Sequence, residues 1–266
     1  MASLLSPPRS IGRVDLRRFA RLLPYLAVEA AIFFAFFAVY FVARGMAPDR
    51  PELATDNAQR IIDFQQALGI FREPAWHEFA MRREWLIEAS NFTYNWLHMP
   101  VIFGMGAVFF LGNQRKYRVL RNALLLSAFL AVPIYWLFPL TPPRLLELHG
   151  LDYGFADTVG GARRSMIAND YAAMPSFHFG WILLVVMGVW WCYRSPLLRV
   201  GFAVFLAWMT WSIVVTSNHY FVDFAVGGTI VVVTFVLALR WERFIRRRPD
   251  VGRRWLYRRG DFRQPF

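Results

Sequence analysis

The chain has 266 residues, of which 57% are hydrophobic and 18% aromatic, and carries a formal net charge of +12. Apolar material in that proportion, gathered into long runs, excludes an ordinary soluble domain and points to lipid as the solvent. The positive charge lies between the apolar runs and in the C-terminal tail, a distribution that fits anionic headgroups and excludes a nucleic-acid-reading face.

In chain order, five arginines precede a first apolar run at 22–43. It is longer than the core of a cleaved leader and reads as a retained first span. In the segment that follows, Ile61, Phe64, Leu68 and Phe71 recur at helical spacing, Gly69 and Pro74 interrupt, and Trp76, Phe79, Trp85 and Leu86 resume the pattern. The spacing predicts two short amphipathic helices lying at the membrane interface. Five more runs follow, at 96–111, 119–138, 179–193, 198–215 and 220–239. Set against the roughly 17 to 25 residues a spanning helix needs, the second and fourth of the six runs are short and are expected to extend into their polar flanks. Pro100 and Pro133 are tolerable inside membrane helices. The expected fold is all-α, an integral membrane bundle of six transmembrane helices with short interfacial helices on the outer face. It forms a single membrane domain over 1–266, with a basic N-terminus at 1–21, the bundle at 22–239 and an arginine-rich surface tail at 240–266. The single cysteine, Cys192, lies inside an apolar run, so neither a disulfide framework nor a thiolate metal site can be built.

Six spans place both termini on one side. Of the 30 Lys and Arg residues, twenty-one fall in the N-terminal segment, the loop at 113–121, the pair Arg194 and Arg199, and the tail; nine fall in the alternate loops. The positive-inside rule assigns the first set to the cytoplasm. The expected protein is therefore multi-pass in the cell (inner or plasma) membrane, with both termini cytoplasmic. The outer face receives 44–95, 139–178 and 216–219. All five histidines, His77, His98, His149, His178 and His219, fall on or near that face, where an acid, base or nucleophile of near-neutral pKa is most useful.

Three local patterns stand at outer ends of spans: Pro139-Leu-Thr-Pro-Pro-Arg144, Ala173-Met-Pro-Ser-Phe-His178 and Ser217-Asn-His-Tyr-Phe-Val-Asp223. A bundle would converge them on one pocket. In the second, Pro175 suits the first turn of a helix, the N–H groups of Ser176 and Phe177 would point outward as a phosphate-binding helix end, and the Ser176 hydroxyl would add a donor beside His178. In the third, His219 and Asp223 are four apart and share one helix face. Asp223 would accept from Nδ1–H of His219 and leave Nε2 free to attack. His98, with Asn95 nearby, is expected at the pocket entrance, and Asn218 along its wall. Glu29, inside the first span, requires a partner or a water-filled pocket. Asp152, Asp157 and Asp170 show no metal-ligand spacing, and neither metal nor cofactor is expected.

Taken together, the ordered patterns resemble the type 2 phosphatidic acid phosphatase superfamily. Pro175-Ser-Phe-His178 and His219-Tyr-Phe-Val-Asp223 are similar to the branch containing inositol phosphorylceramide synthases, and Leu68-Gly-Ile-Phe-Arg-Glu-Pro74 is similar to a segment of bacterial members. The resemblance implies His219 as nucleophile, Asp223 as the group that orients it, and His178 as the acid for the leaving group. The family's usual arginine six residues before the nucleophile falls here at Ile213, and its first-motif lysine has no clear counterpart. Arg144 is the natural substitute phosphate clamp, with Arg163 and Arg164 as further candidates. The implied activity is a lipid phosphoester phosphotransferase or phosphatase, and the branch favours transfer of a phospho-headgroup to a polyol or lipid alcohol. Hydrolysis of a lipid phosphate is the alternative. A non-catalytic lipid-binding protein or flippase is a third reading, which a complete His178, His219 and Asp223 set argues against.

Overall fold

A computed structural model of the protein describes residues 16–156 and 169–247. The helices are α1 (Leu16–Gly45), α2 (Pro51–Ala67), α3 (Glu73–Met81), α4 (Glu84–Phe92), α5 (His98–Gly112), α6 (Gln114–Leu137), α7 (Phe177–Cys192), α8 (Pro196–Val215) and α9 (Phe221–Arg247). A π-helical turn, Thr93–Leu97, joins α4 to α5, and two short 3₁₀ turns follow α6. The described residues contain no β-strand, only one isolated bridge between Leu140 and Ala172. The all-α expectation therefore holds.

Among the described residues, five stretches are long and apolar enough to cross a membrane: Leu23–Gly45, Glu84–Gly112, Gln114–Leu137, Pro196–Val215 and Phe221–Arg247. The second begins twelve residues before the expected start at 96, because α4 runs through the π turn into α5 without a break. What the sequence suggested was part of an interfacial helix, around Trp85 and Leu86, is the first turn of that stretch. The third begins at Gln114, where Asn113 caps the helix by accepting from the Lys116 N–H at 3.0 Å, so most of the expected 113–121 loop is helical. The sixth run continues past 239 to Arg247, its added turns tied to α6 by Glu242, 3.2 Å from Arg115 and 3.8 Å from Arg118. The fourth run, expected at 179–193, extends by only two residues at its start and ends one residue early. α7 has 16 residues, about 24 Å at 1.5 Å per residue against a hydrocarbon core of about 30 Å. Pro175 precedes it, and after it Ser195 caps α8 with Pro196 in the first turn.

α9 packs against both α6 and α7, and α8 against α7, while α1 and α5 close the other side of α6. Two glycines permit the α7–α9 contact. A Cβ on Gly227 would lie 2.3 Å from the Ser176 carbonyl oxygen, and one on Gly180 would lie 3.1 Å from the Gly227 oxygen. The missing side chains let the two backbones that carry the histidine motifs approach directly.

The segment between α1 and the second stretch forms separate helices, but α2 is turned differently from the apolar stripe read in the sequence. Phe64 and Leu68 are exposed, and the buried face holds Ala54, Asn57, Ala58, Ile62 and Gln65. The buried polar side chains explain the orientation. Asn57 donates to the Pro139 carbonyl at 2.9 Å, and Gln65 reaches the start of α9. Hydrogen bonds to loop backbone that water cannot reach outweigh the burial of two apolar side chains that lipid can cover.

Candidate active site

Backbone hydrogen bonds bring the three sequence patterns together. The first and second are joined by the Ala173 N–H, which donates to the Leu140 oxygen at 3.4 Å. The Leu140–Ala172 bridge, with the Leu140 N–H donating to the Tyr171 oxygen at 2.7 Å, continues the pairing just before the second pattern. The first and third are joined by the Arg144 N–H, which donates to the Ser217 oxygen at 2.9 Å. The second and third are joined by the Ser176 N–H, which donates to the Asp223 oxygen at 3.2 Å. Segments far apart in the chain thus form a closed triangle at one end of the bundle, and Tyr220, fully buried, adds a bond from its hydroxyl to the Thr141 oxygen at 3.0 Å.

At the third corner, His219 Nδ1 donates to Asp223 Oδ2 at 3.1 Å, and the same oxygen accepts from the Tyr220 N–H at 3.0 Å. Asp223 is completely buried and Oδ1 has no hydrogen-bond partner, so its charge is directed at the His219 ring. With Nδ1 occupied, Nε2 is the nitrogen left for chemistry. The short connection that presents His219 is held from outside. Ser217 sits in the left-handed region at φ 56°, a conformation that surrounding contacts must impose on a residue with a Cβ. His77 of α3 supplies them. Its Nδ1–H donates to the Val215 oxygen at 2.7 Å, Ser217 Oγ lies 2.9 Å from the same nitrogen, and Nε2 accepts from the Ala156 N–H at 3.0 Å. Burial lowers the His77 pKa, which favours the neutral ring that one donor and one acceptor require. The first N–H groups of α9, at Phe221 and Val222, are capped by Glu73 at 3.0 Å and Gln65 at 3.1 Å. Glu73 and Gln65 also bond each other at 2.6 Å, and burial raises the Glu73 pKa.

His178 lies between two aromatic rings. Tyr94 stacks on it with centroids 4.2 Å apart, and His98 lies tilted against it at 34° with centroids 4.3 Å apart. Tyr94 and His98 are four apart across the π turn, a feature frequent at functional sites. His98 does not stand at the entrance, as the sequence suggested. It is buried, donates from Nε2 to the Phe177 oxygen at 3.2 Å, and stacks in turn on Trp181. The His178 and His219 rings are 6.1 Å apart, centroid to centroid. Both line a cavity of about 190 Å³, together with Tyr94, Asn95, His98, Arg144 and Asn218.

Arg144 is held by the third pattern. Its Nε donates to Asn218 Oδ1 at 3.1 Å, and Asn218 is fixed by donating to the Thr216 oxygen and hydroxyl at 3.1 and 2.9 Å. Ser176 departs from expectation. It is the residue before α7, its N–H is taken by the Asp223 backbone oxygen, its Oγ is buried without a partner, and it does not line the cavity although Pro175 and Phe177 do. The close approach to Gly227 draws it into the helix crossing. Arg163, Arg164 and Asp157 lie outside the described residues. Glu29 has the partner its position demanded, Arg121 at 2.5 Å with Tyr117 at 3.2 Å, on the wall of a separate apolar cavity. His149 stands apart, near the Tyr171 hydroxyl, and Asp152 accepts from the Gly154 N–H in a turn.

The sequence reading missed several cavity residues, among them Arg44 and Tyr40 from α1, Tyr135 from α6, and Asn169. Arg44 was counted only as a loop charge, although it stands in the last turn of α1, at the end where the motifs converge.

One cavity at an end of an all-helical bundle thus holds a carboxylate-backed histidine, a second histidine and a fixed arginine. The chain belongs to the PAP2 superfamily, whose profile matches residues 59–237 and so encloses all three patterns. It is similar to an inositol phosphorylceramide synthase of Candida albicans, 26% identical over 182 residues, covering 62% of this chain and 38% of that protein. Against the inositol phosphorylceramide synthase catalytic subunit of Schizosaccharomyces pombe it is 28% identical over 141 residues, covering 42% and 33%. Against that of Saccharomyces cerevisiae it is 29% identical over 115 residues, covering 37% and 28%. The match thus spans between 28% and 38% of the length of these relatives. No solved structure matches the chain.

Proposed function

We propose that the protein is a lipid phosphoester phosphotransferase that works through a phosphohistidine on His219. The observation that carries the proposal is the facing of His219, backed by Asp223, and His178 across one cavity beside Arg144. His219 Nε2 attacks phosphorus, and the bond from phosphorus to the leaving oxygen breaks. Protonated His178 gives that oxygen its proton. In the second half, the hydroxyl of an acceptor attacks the phosphohistidine, His178 takes its proton, and His219 is restored. Arg144 neutralises charge on the phosphoryl oxygens. The names of the three relatives favour transfer of an inositol-phosphate-like headgroup to a lipid alcohol.

This reading also takes α7 as a sixth crossing. Eight of its 16 residues are buried and it packs against α8 and α9, so it needs less lipid-facing apolar length than its neighbours. Both termini are then cytoplasmic, the cavity opens on the outer face, and the exposed Phe64 and Leu68 of α2 rest among headgroups. Cysteines placed singly at Gly150 and Arg258 in a Cys192→Ala background are expected to label from opposite sides of sealed, oriented vesicles. Labelling from one side would contradict the topology.

The activity is tested by incubating purified protein with a panel of phospholipids and lipid phosphates, with and without polyols and lipid alcohols, and identifying products by mass spectrometry. A new phosphodiester on an added acceptor is expected. Phosphate release without transfer, at every acceptor concentration, would make the enzyme a lipid phosphatase. Among the described residues no three His, Cys, Asp or Glu side chains converge to hold an ion, and turnover is expected to persist in EDTA.

A further inference from the structure

We infer that Arg44 is a second clamp on the phosphoryl oxygens of the substrate, supplying from α1 the charge that the third pattern lacks. The inference rests on the phosphoryl-transfer reading and adds a ligand contact to it. Position 213, where the family's arginine would stand, holds an isoleucine that is fully buried, with its carbonyl taken by the Asn218 N–H at 3.3 Å. A cation at the site has to come from elsewhere in the bundle.

Arg44 lies 175 residues before His219 in the chain, yet it lines the same cavity as His178, His219 and Arg144. Its Nε is buried and has no hydrogen-bond partner. No carboxylate among the described residues lies within ion-pair distance of it. Asp170 is the one carboxylate among the residues lining the cavity. The guanidinium carbon sits 5.4 Å from the centre of the Tyr135 ring, and the Tyr135 hydroxyl is 3.1 Å from that of Tyr40. The backbone is fixed as well, because the Arg44 oxygen accepts from Asn169 Nδ2 at 3.2 Å. A surface arginine would place its donors in water or on a neighbouring carboxylate. Here Nε is withdrawn from water, the side chain is steadied by an aromatic ring, and no acceptor among the described residues reaches Nε. Leaving such a donor unsatisfied is costly, and an anion in the cavity removes that cost. A phosphoryl group between guanidinium groups from α1 and from the 144 turn would be gripped from two sides while His219 attacks.

The test is binding of orthovanadate, an oxyanion that mimics the phosphoryl group, to the purified full-length protein by calorimetry. Arg44→Gln is expected to weaken binding by about 10- to 100-fold, the worth of a lost charge-assisted hydrogen bond. Arg44→Lys is expected to recover part of the loss, since it restores charge without the fork. Vanadate affinity unchanged in Arg44→Gln would overturn the inference while leaving the phosphoryl site standing. If the Gln variant does not fold, the Lys variant decides: weaker binding supports the clamp, and wild-type affinity overturns it. A wild-type protein that binds no vanadate would overturn the phosphoryl site itself, and this inference with it.

Discussion

Replacing His219 by alanine is expected to abolish turnover, by at least about 10⁴-fold, on the scale seen when a nucleophile is removed from a catalytic unit. The loss should be the same for every substrate, however good its leaving group, because no phosphoenzyme can form. Asp223→Asn should fall between His219→Ala and wild type. An amide oxygen can still accept from Nδ1, so the ring keeps its orientation. It no longer carries the charge that stabilises the imidazolium as the nucleophile is used and restored. The unpaired Oδ1 of Asp223 and its complete burial make the asparagine variant informative, since no water-exposed group compensates. Steady-state rates on a lipid phosphoester, with circular dichroism to verify folding, measure both effects. A His219→Ala protein retaining a tenth of the wild-type rate would remove His219 from the chemistry.

The second large effect is expected at His178, and it should depend on the substrate. If His178 protonates the leaving oxygen, His178→Ala should cost about 10² to 10⁴-fold on a lipid phosphoester, the usual range for general acid catalysis. A nitrophenyl phosphate analogue has a leaving group that needs no proton and should recover much of that loss. It should recover none in His219→Ala. The placement of His178 between Tyr94 and His98 sharpens the comparison, because both rings remain to support the cavity when the imidazole between them is removed. Equal losses on both substrates would exclude a proton-donor role.

The catalytic core of the proposal was legible in the sequence because its geometry is local. His219 and Asp223 are one helical turn apart, and Arg144 follows a Pro142-Pro143 turn that leaves its backbone little freedom. Convergence of the three patterns was legible from their common position at span ends, although the hydrogen bonds that fasten them were not. Gln65, Glu73 and His77 cap α9 and hold Ser217 in place, roles for which the sequence offered no signal. Contacts across up to 157 residues leave no periodic trace. The α2 stripe misled for a related reason: in a membrane an apolar face can point outward, so periodicity identifies the helix without saying which side meets the protein. Ser176 misled because a helix N-terminus was expected to have free N–H groups, whereas Gly227 lets the α9 backbone approach and Asp223 accepts one of them. Arg44 was overlooked because a positive charge at the end of a span ordinarily marks topology.

The most direct measurement is the location of the covalent phosphate. Wild-type protein would be mixed with a lipid phosphoester, quenched in alkali to preserve phosphohistidine, digested, and mapped by mass spectrometry. The account predicts phosphate on His219, in a yield that rises in His178→Ala with the activated substrate if removal of the base slows resolution of the intermediate. Phosphate trapped on His178, with none on His219, would contradict it and exchange the two roles.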